Sequence, residues 1–244
     1  MTGAANGLGR AWAERLLSAG ATVIGLDLPE PLWETARGGL PFECLACDLG
    51  DSATFDDAIA ELRRVAGDEP FDAVAHIAGI QSTGPWSAFA DHPQRRRRIL
   101  DVNAYGPIAW TERLEREGRI LLDAPLLAVA ALSCFTSFPF AAPYAASKDV
   151  LAAWIHARDR DCGAQSLVAY PGPIRTRHAA EAAPRNEPQD VARRLPPERV
   201  ADGLAEAWTR GERDWIPGLG PRLLAECGRL APGWTARAMR HLLR

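Results

Sequence analysis

Short apolar stretches alternate along the chain with longer stretches in which apolar residues recur every three or four positions. The short stretches predict strands that are buried on both faces, and the longer ones predict helices with one apolar face. The predicted strands cover residues 21–27, 42–47, 73–77, 126–132, 165–170 and 214–216. The predicted helices cover residues 9–19, 53–66, 93–113, 142–160 and 196–209.

This regular alternation predicts an α/β fold, in which a doubly wound parallel sheet lies between two layers of helices. Ligands of such sheets bind beyond the carboxyl ends of the strands. Residues that close a predicted strand, or follow it closely, therefore mark a candidate site. These residues are Asp27, Asp48, Ala78, Gly79, Ser133 and Pro171.

Composition narrows the class of protein without specifying its chemistry. With 244 residues, 47% of them hydrophobic, the chain is expected to form one domain over residues 1–244. A net charge of −3 does not favour nucleic-acid binding, and no apolar run approaches the ~20 residues that cross a bilayer. Five cysteines without a signal peptide predict free thiols and a cytoplasmic protein. Cys44 and Cys47 lie in a predicted strand, which favours buried thiols over a metal or redox pair.

A glycine-rich segment, TGAANGLG at residues 2–9, lies at the start of the first predicted helix. Glycines allow a tight turn and the close approach of a pyrophosphate, which would lie at the N-terminus of that helix. The next strand ends at Asp27, 24 residues after Gly3, near the ~20 typical of the acid that binds the adenosine ribose. Its carboxylate would repel a 2′-phosphate, and no Arg lies in the turn or just after Asp27. The sequence therefore predicts NAD rather than NADP.

Tyr144 and Lys148 form a second candidate pair, in a predicted helix. Four residues apart, the two side chains share one face of that helix. A nearby ammonium lowers the phenol pKa from about 10, so such a Tyr can exchange a proton with an alcohol or carbonyl oxygen. At this spacing a Tyr and a Lys are more often a solvated surface pair. The glycine-rich segment upstream favours a catalytic pair over a surface pair.

In the order of these motifs, and over nearly its whole length, the chain resembles the short-chain dehydrogenase/reductase family, whose compact members have a Rossmann-type fold. Residues 2–9 match the family's glycine turn, and residues 144–148 match its Tyr-x-x-x-Lys. The other matching segments are Asp48-Leu49, HIAG at residues 76–79, DVNA around Asn103, and PGPIRT at residues 171–176.

The resemblance implies an NAD-dependent enzyme that interconverts a secondary alcohol and a ketone by hydride transfer, as a homodimer or homotetramer. Tyr144 would be the general acid/base, and Lys148 would lower its pKa and bind the nicotinamide ribose. Ser133 would donate to the substrate oxygen, and Asn103 would hold a water that links Lys148 to solvent. Thr176 would contact the nicotinamide carboxamide. The implied cofactor-binding residues are Gly3, Asn6, Gly7, Leu8, Gly9, Asp27, Asp48, Leu49, Ala78, Gly79, Tyr144, Lys148, Pro171, Gly172, Ile174 and Thr176.

Two departures from the family pattern concern the centre of the sheet. The chain begins at the glycine turn, which suggests a truncated start. It also predicts that the neighbours of an absent first strand lose hydrogen-bond partners. His76 and Ile77 replace two asparagines. His76 is expected to tie neighbouring strands together through one ring nitrogen and to have no catalytic role.

A third departure concerns the catalytic serine. Ser133 precedes Tyr144 by 11 residues, which is fewer than usual for the family. Ser133 is preferred because it follows an apolar strand directly, as the family's serine does. Thr136 and Ser137 are alternatives in the following loop.

The remaining segments carry weaker signals. Residues 177–195 are polar and punctuated by prolines, which predicts a substrate lid, with a plain surface loop as the alternative. The basic, amphipathic tail at residues 222–244 is expected to line the substrate entrance, to pack on a partner or to touch an anionic membrane, in that order of preference. The alternative function is a low-turnover NAD-binding or scaffolding protein that keeps the fold. An epimerase or dehydratase is disfavoured because such relatives usually carry a second domain.

Overall fold

The computed structural model describes residues 1–29, 41–82, 84, 86–136, 140–176 and 194–242. Within them the strands are β1 (Ile24–Asp27), β2 (Glu43–Ala46), β3 (Val74–His76), β4 (Leu126–Val129), β5 (Leu167–Ala169) and β6 (Asp214–Trp215). The helices up to the centre of the chain are α1 (Gly7–Ser18), α2 (Phe55–Ala66), α3 (Trp86–Ala90), α4 (Pro93–Leu100) and α5 (Gly106–Arg116). The later helices are α6 (Ser133–Thr136), α7 (Ala142–Cys162), α8 (Pro197–Thr209), α9 (Leu219–Leu230) and α10 (Pro232–Leu242).

All the strand pairs in this part of the chain are parallel. β1 pairs with β2, and β3, β4, β5 and β6 pair in that order. Thr2 joins the two ladders, because it bridges Leu26 of β1 and His76 of β3. Its N–H donates to the carbonyl of Ala75 at 2.8 Å. The sheet is therefore continuous, in the order β2, β1, Thr2, β3, β4, β5, β6.

The expected loss of hydrogen-bond partners beside the first strand is not observed at Leu26 or Ile77. The N–H of Leu26 donates to the carbonyl of Met1 at 2.8 Å, and the N–H of Ile77 donates to that of Thr2 at 3.3 Å. Met1 and Thr2 thus lie where a central strand would lie at this level of the sheet. They satisfy buried backbone groups on both sides.

The core has two parts, one on each face of the sheet. Along β4, Leu126 and Ala128 belong to one part and Leu127 and Val129 to the other, because successive strand residues point to opposite faces. The first part is closed by residues of α2, α5 and α7, namely Ile59, Trp110 and Ile155. The second is closed by residues of α1 and α8, namely Trp12 and Leu204. The predicted three-layer α/β fold with a parallel sheet is confirmed.

The predicted helix over residues 93–113 is observed as α4, a π-helical segment at Asp101–Tyr105, and α5, without a break in the chain. Asn103 lies at the middle of the π segment and is fully buried. Glycine at the first position of α5 permits a close approach to the loop after β2. A Cβ at Gly106 would overlap the carbonyl oxygen of Leu49. π segments occur often at functional sites.

Other elements also differ in extent from the predictions. The predicted strand over residues 126–132 stops at Val129, and Ser133 begins a short helix instead of closing the strand. The tail forms most of α9 and all the described part of α10, and α9 packs against α6. Residues 177–193, which are most of the predicted lid, lie outside the described residues.

The Cys44 and Cys47 thiols are free, and Cys47 is buried directly after β2. Burial raises the pKa of the Cys44 thiol to about 12 and that of Cys47 to about 11. Both side chains therefore remain thiols at neutral pH. In the described part of the chain, no three His, Cys, Asp or Glu side chains are grouped as metal ligands would be, and no helix is long and apolar enough to span a bilayer.

His76 joins β3 to α5. Its Nε2 lies 2.8 Å from the Oγ1 of Thr111. The Thr111 hydroxyl donates to the carbonyl of Pro107, so it accepts from an Nε2–H, which fixes the tautomer. Nδ1 is buried with no hydrogen-bond partner among the described residues. The expectation that His76 ties strands together is wrong, because backbone bonds join the strands and the ring reaches the helix.

The buried His76 is expected to make the protein less stable in mild acid. Burial lowers its pKa from 6.5 to about 3, so below pH 6.5 only the unfolded chain takes up this proton. At about 1.36 kcal/mol per pH unit, this costs roughly 2 kcal/mol of folding free energy at about pH 5.

Urea titrations at about pH 7 and about pH 5 test this assignment. Between these conditions, His76→Gln is expected to lose about 2 kcal/mol less free energy of unfolding than the parent protein. His92→Gln changes an exposed histidine and is expected to follow the parent. Equal losses in His76→Gln and the parent would show that His76 is not held neutral.

Candidate active site

Asp27 holds the glycine-rich turn in place from the end of β1. Its Oδ2 accepts from the N–H of Ala5 at 2.8 Å, and its Oδ1 accepts from the N–H of Leu28 at 2.9 Å. The N–H of Gly3 donates to the carbonyl of Leu26 at 2.8 Å. The carboxylate that is predicted to bind the adenosine ribose is therefore held beside the turn.

The turn is built from close backbone approaches that only glycine allows. Gly3 has a φ of 69°, and a Cβ there would lie 2.6 Å from the backbone nitrogen of Ala78. A Cβ at Gly9 would overlap the carbonyl oxygen of Gly3. The Asn6 side chain makes no capping hydrogen bond at the start of α1. A turn of this kind, followed by an uncapped helix N-terminus, fits the pyrophosphate of a dinucleotide.

Two further predicted segments meet this turn. The N–H of Ala78 lies 3.4 Å from the Oγ1 of Thr2, which brings the segment after β3 against the turn. A Cβ at Gly7 would lie 3.0 Å from the Cγ2 of Thr176. The segment after β5, which contains Pro171, Gly172, Ile174 and Thr176, therefore reaches the same place.

Asp48 lies two residues after the last residue of β2, and its carboxylate accepts hydrogen bonds from two segments. Oδ1 accepts from the N–H of Gly50 at 2.8 Å. Arg98 of α4 donates to both carboxylate oxygens, at 2.8 and 2.7 Å. Leu49, the next residue, is buried. The Arg98 contact was not predicted, because Arg98 is one of four consecutive arginines at residues 95–98 and the sequence does not distinguish it from the other three.

Lys148 and Asn103 converge on Gly79. A Cβ at Gly79 would lie 3.0 Å from Lys148 Nζ and 3.3 Å from Asn103 Oδ1. Lys148 is 3% exposed, and its Nζ donates to the carbonyl of Val129 at the end of β4 at 2.8 Å. Burial lowers the pKa of its ammonium to about 8.

The Asn103 side chain is fully used in fixing its surroundings. Its Oδ1 accepts from the N–H of Ile80 at 2.7 Å, and its Nδ2 donates to the carbonyl of Ile80 at 2.8 Å. Nδ2 also donates to the Oγ of Ser147 at 3.0 Å, and that hydroxyl donates to the carbonyl of Tyr144. Ser147 was not singled out from the sequence, although its place three residues after Tyr144 puts it on the same face of α7.

Tyr144 is half-buried near the start of α7, with its ring centroid 5.9 Å from Lys148 Nζ. Loss of hydration, followed by the neighbouring Cys134, raises the pKa of its phenol well above 10. This differs from the expectation that Lys148 lowers the phenol pKa. The Lys148 ammonium is directed to the Val129 carbonyl, and desolvation dominates at the phenol.

Ser133 is the first residue of α6, which packs against α7. Its Oγ is buried and has no hydrogen-bond partner among the described residues. Such an orphaned hydroxyl is rare in a folded protein unless a ligand completes it. Of the alternatives, Thr136 is buried at the other end of the same helix, and Ser137 lies outside the described residues.

A phenol, an ammonium and a hydroxyl that has no partner among the described residues thus lie in neighbouring elements at the carboxyl edge of the sheet, next to a turn that fits a dinucleotide. Groups of this kind can donate a proton and a hydrogen bond to a reacting oxygen.

Comparisons with known proteins agree with this architecture. A protein-family model described as Enoyl-(Acyl carrier protein) reductase matches residues 3–204. The Danio rerio protein named Dehydrogenase/reductase SDR family member 7B is 25% identical over 98% of this chain and 83% of its own length.

Two solved structures share the fold. One is 3-ketoacyl-(acyl-carrier-protein) reductase from Brucella melitensis complexed with NADH, which has a TM-score of 0.72 and 21% identity, over 89% of this chain and 95% of that one. The other is a short-chain dehydrogenase from Burkholderia cenocepacia in complex with NADP, which has a TM-score of 0.73 and 18% identity, over 98% of this chain and 94% of that one.

These matches confirm the resemblance found in the motifs and the Rossmann-type architecture. The family model alone covers more than half of the chain. The chain belongs to the short-chain dehydrogenase/reductase family of oxidoreductases.

Proposed function

We propose that this protein is an NAD-dependent oxidoreductase that interconverts a secondary alcohol and a ketone. The proposed catalytic group consists of Tyr144 as general acid/base, Lys148 as its electrostatic partner, Ser133 as hydrogen-bond donor and Asn103 as part of a proton relay. The observation that carries the proposal is the identity and the position of Lys148.

Lys148 is the only lysine in the sequence, so 27 of its 28 Lys and Arg residues are arginines. Arginine stays protonated in proteins, whereas a buried lysine readily loses its charge. The single lysine is buried four residues after Tyr144, where its pKa is lowered to about 8. Every other basic position of the Lys or Arg type in this chain is occupied by arginine. Lysine at this one position fits a group that has to adjust its charge.

The side chains have distinct tasks in the proposed reaction. When bound, the cofactor would supply hydride chemistry at its nicotinamide ring. Tyr144 would hold a proton at its phenolic oxygen and pass it to the substrate oxygen. The hydroxyl of Ser133 would donate to the same oxygen as charge develops there. Lys148 would bind the nicotinamide ribose while it is protonated.

Asn103 would contribute through its backbone. The polar atoms of its side chain already bond to Ile80 and Ser147. The relay water implied by the family resemblance would therefore be held by the Asn103 carbonyl in the π segment. A main-chain group there suits this role, because a π turn displaces the regular helical hydrogen bonds.

The protonation state of Tyr144 suits one half of the proposed interconversion. Burial raises the pKa of Tyr144, so the phenol stays protonated at neutral pH. A protonated phenol is suited to donate a proton to the oxygen of a ketone as hydride reaches its carbon.

The choice of NAD rests on Asp27. The two related structures contain NADH in one case and NADP in the other, so the fold accommodates either cofactor. The Asp27 carboxylate is held by the Ala5 and Leu28 N–H groups at the carboxyl end of β1. A 2′-phosphate bound beside this carboxylate would be repelled.

Tyr144→Phe tests the proposed acid/base. With a panel of secondary alcohols and ketones, we expect kcat to fall at least about 100-fold while the Kd for NADH changes less than about twofold. Tyr105→Phe is the matched control, because that phenol is 55% exposed and lies on the π segment. Full activity of Tyr144→Phe would refute the mechanism. NADH binding by a parent protein without turnover would support the NAD-binding alternative.

The pKa of Lys148 can be measured directly. Because the chain has one lysine, protein labelled with ¹³C-lysine gives one Cε signal in NMR spectra. We expect this signal to titrate near pH 8 in the folded protein, since burial lowers the pKa to about 8. The urea-unfolded protein is the control and should titrate near the ordinary lysine pKa of 10.5. A folded-state midpoint near the unfolded one would show that the ammonium is not desolvated.

Asp27→Asn tests cofactor choice, because it removes the charge. The amide oxygen can still accept from the Ala5 N–H, whereas the bond from the Leu28 N–H is lost. We expect the affinity for NADPH to rise about 10-fold, which corresponds to about 1.4 kcal/mol of relieved repulsion. Asp68→Asn, at a residue with a 91% exposed side chain, is the control and should leave both affinities unchanged. An unchanged ratio of NADH to NADPH affinity in Asp27→Asn would contradict the assignment.

A further inference from the structure

The helix that carries Ser133 is too short to hold its own position. α6 spans four residues, Ser133–Thr136. Its turn is closed by the N–H of Cys134 on the carbonyl of Ala131 and by the N–H of Phe135 on the carbonyl of Leu132, at 3.0 and 3.1 Å. One turn of helix is unfavourable alone, because nucleation fixes several residues for few hydrogen bonds. The position of the Ser133 hydroxyl therefore depends on what packs against α6.

The C-terminal helix α9 packs on α6 at Gly228. A Cβ at Gly228 would overlap the carbonyl oxygen of Phe135 and would lie 2.8 Å from its carbonyl carbon. Gly228 is buried in this contact. The two backbones touch because this residue has no side chain, and any larger residue would push α6 away.

A second contact from the same helix involves the Phe135 side chain. The guanidinium of Arg229 lies over the Phe135 ring, with its Cζ 4.6 Å from the centroid. The Phe135 ring packs against the ring of Tyr170, centroid to centroid 4.8 Å, just after β5. Phe135 is therefore in contact with both an arginine of the tail and a buried aromatic residue that follows β5.

The tail helix is itself anchored to the sheet. The Nε of Arg222 donates to the carbonyl of Ile216, directly after β6, at 2.8 Å. Ala225 of α9 is fully buried in the larger part of the core. A chain of contacts thus runs from β6 through α9 to Phe135, two residues from Ser133.

We propose that α9 positions the catalytic serine, with Gly228 and Arg229 as positioning residues that act on the Ser133 hydroxyl through Phe135. This inference rests on the proposed function, in which Ser133 donates to the substrate oxygen. It assigns to the tail a role in orienting a reacting group.

Gly228→Ala is the direct test, with Gly220→Ala as the matched control in the same helix. A Cβ at Gly220 has no atom within 4 Å. A displacement of about 1 Å at a catalytic group can cost about 100-fold in rate. We expect kcat of Gly228→Ala to fall between about 10- and 100-fold with the Kd for NADH unchanged. We expect Gly220→Ala to match the parent.

A double-mutant cycle with Ser133→Ala distinguishes positioning from general damage. If Gly228 acts through Ser133, then Gly228→Ala lowers kcat in the parent but changes it less than about twofold in the Ser133→Ala background. An equal loss in both backgrounds would overturn the proposal, as would an unchanged kcat in Gly228→Ala.

Arg229→Gln gives a second measurement if Gly228→Ala does not fold. Removing the guanidinium above Phe135 is expected to lower kcat several-fold, again only when Ser133 is present. Arg237→Gln, on an exposed residue of α10, is the matched control. Equal kcat values for the parent and Arg229→Gln would overturn the part assigned to Arg229.

Hydrogen exchange separates this inference from the proposed function. A parent protein without turnover would refute the function and leave the structural contact to be tested by itself. Gly228→Ala is then expected to speed exchange of the Cys134 and Phe135 amides, whereas Gly220→Ala does not. Equal exchange in all three proteins would overturn the positioning role of α9.

Discussion

The ammonium of Lys148 lies at the carboxyl end of β4, 3% exposed and bonded to the carbonyl of Val129. Removing a charge from water is costly, and one hydrogen bond to a carbonyl compensates for only part of that cost. The lowered pKa of about 8 reflects this cost of desolvation. The site around it is arranged to tolerate the charge. Gly79 leaves room beside Nζ, and the Asn103 amide secures the neighbouring backbone.

The same burial explains the protonation state of Tyr144. In water an ammonium four residues away would favour the phenolate. Inside the protein, desolvation of the phenol dominates and raises its pKa. At neutral pH the pair therefore consists of a protonated phenol beside an ammonium whose pKa is lowered by burial. This balance depends on burial, and it would be lost if Tyr144 and Lys148 lay on a solvated helix face.

Close backbone contacts bring distant parts of the chain to this one edge. Gly3 meets Ala78, Gly106 meets Leu49, and Gly228 meets Phe135. Each contact joins segments that are far apart in sequence, and each is possible because a side chain is absent. The arrangement of the candidate site is therefore a property of the whole sheet together with its tail, and no single motif determines it.

The sequence by itself determined the fold class, the order of strands and helices, and the segments that end at the sheet edge. Hydrophobic periodicity and turn residues such as those of residues 2–9 are local signals, because they depend only on residues that are close together in the sequence. The tertiary structure decided the rest. The partner of His76, the placement of Ser133 in a helix held by Gly228, the contact of Arg98 with Asp48 and the raised pKa of Tyr144 all depend on residues brought together from other parts of the chain. Burial and long-range contacts set these properties, and they exist only once the chain has folded.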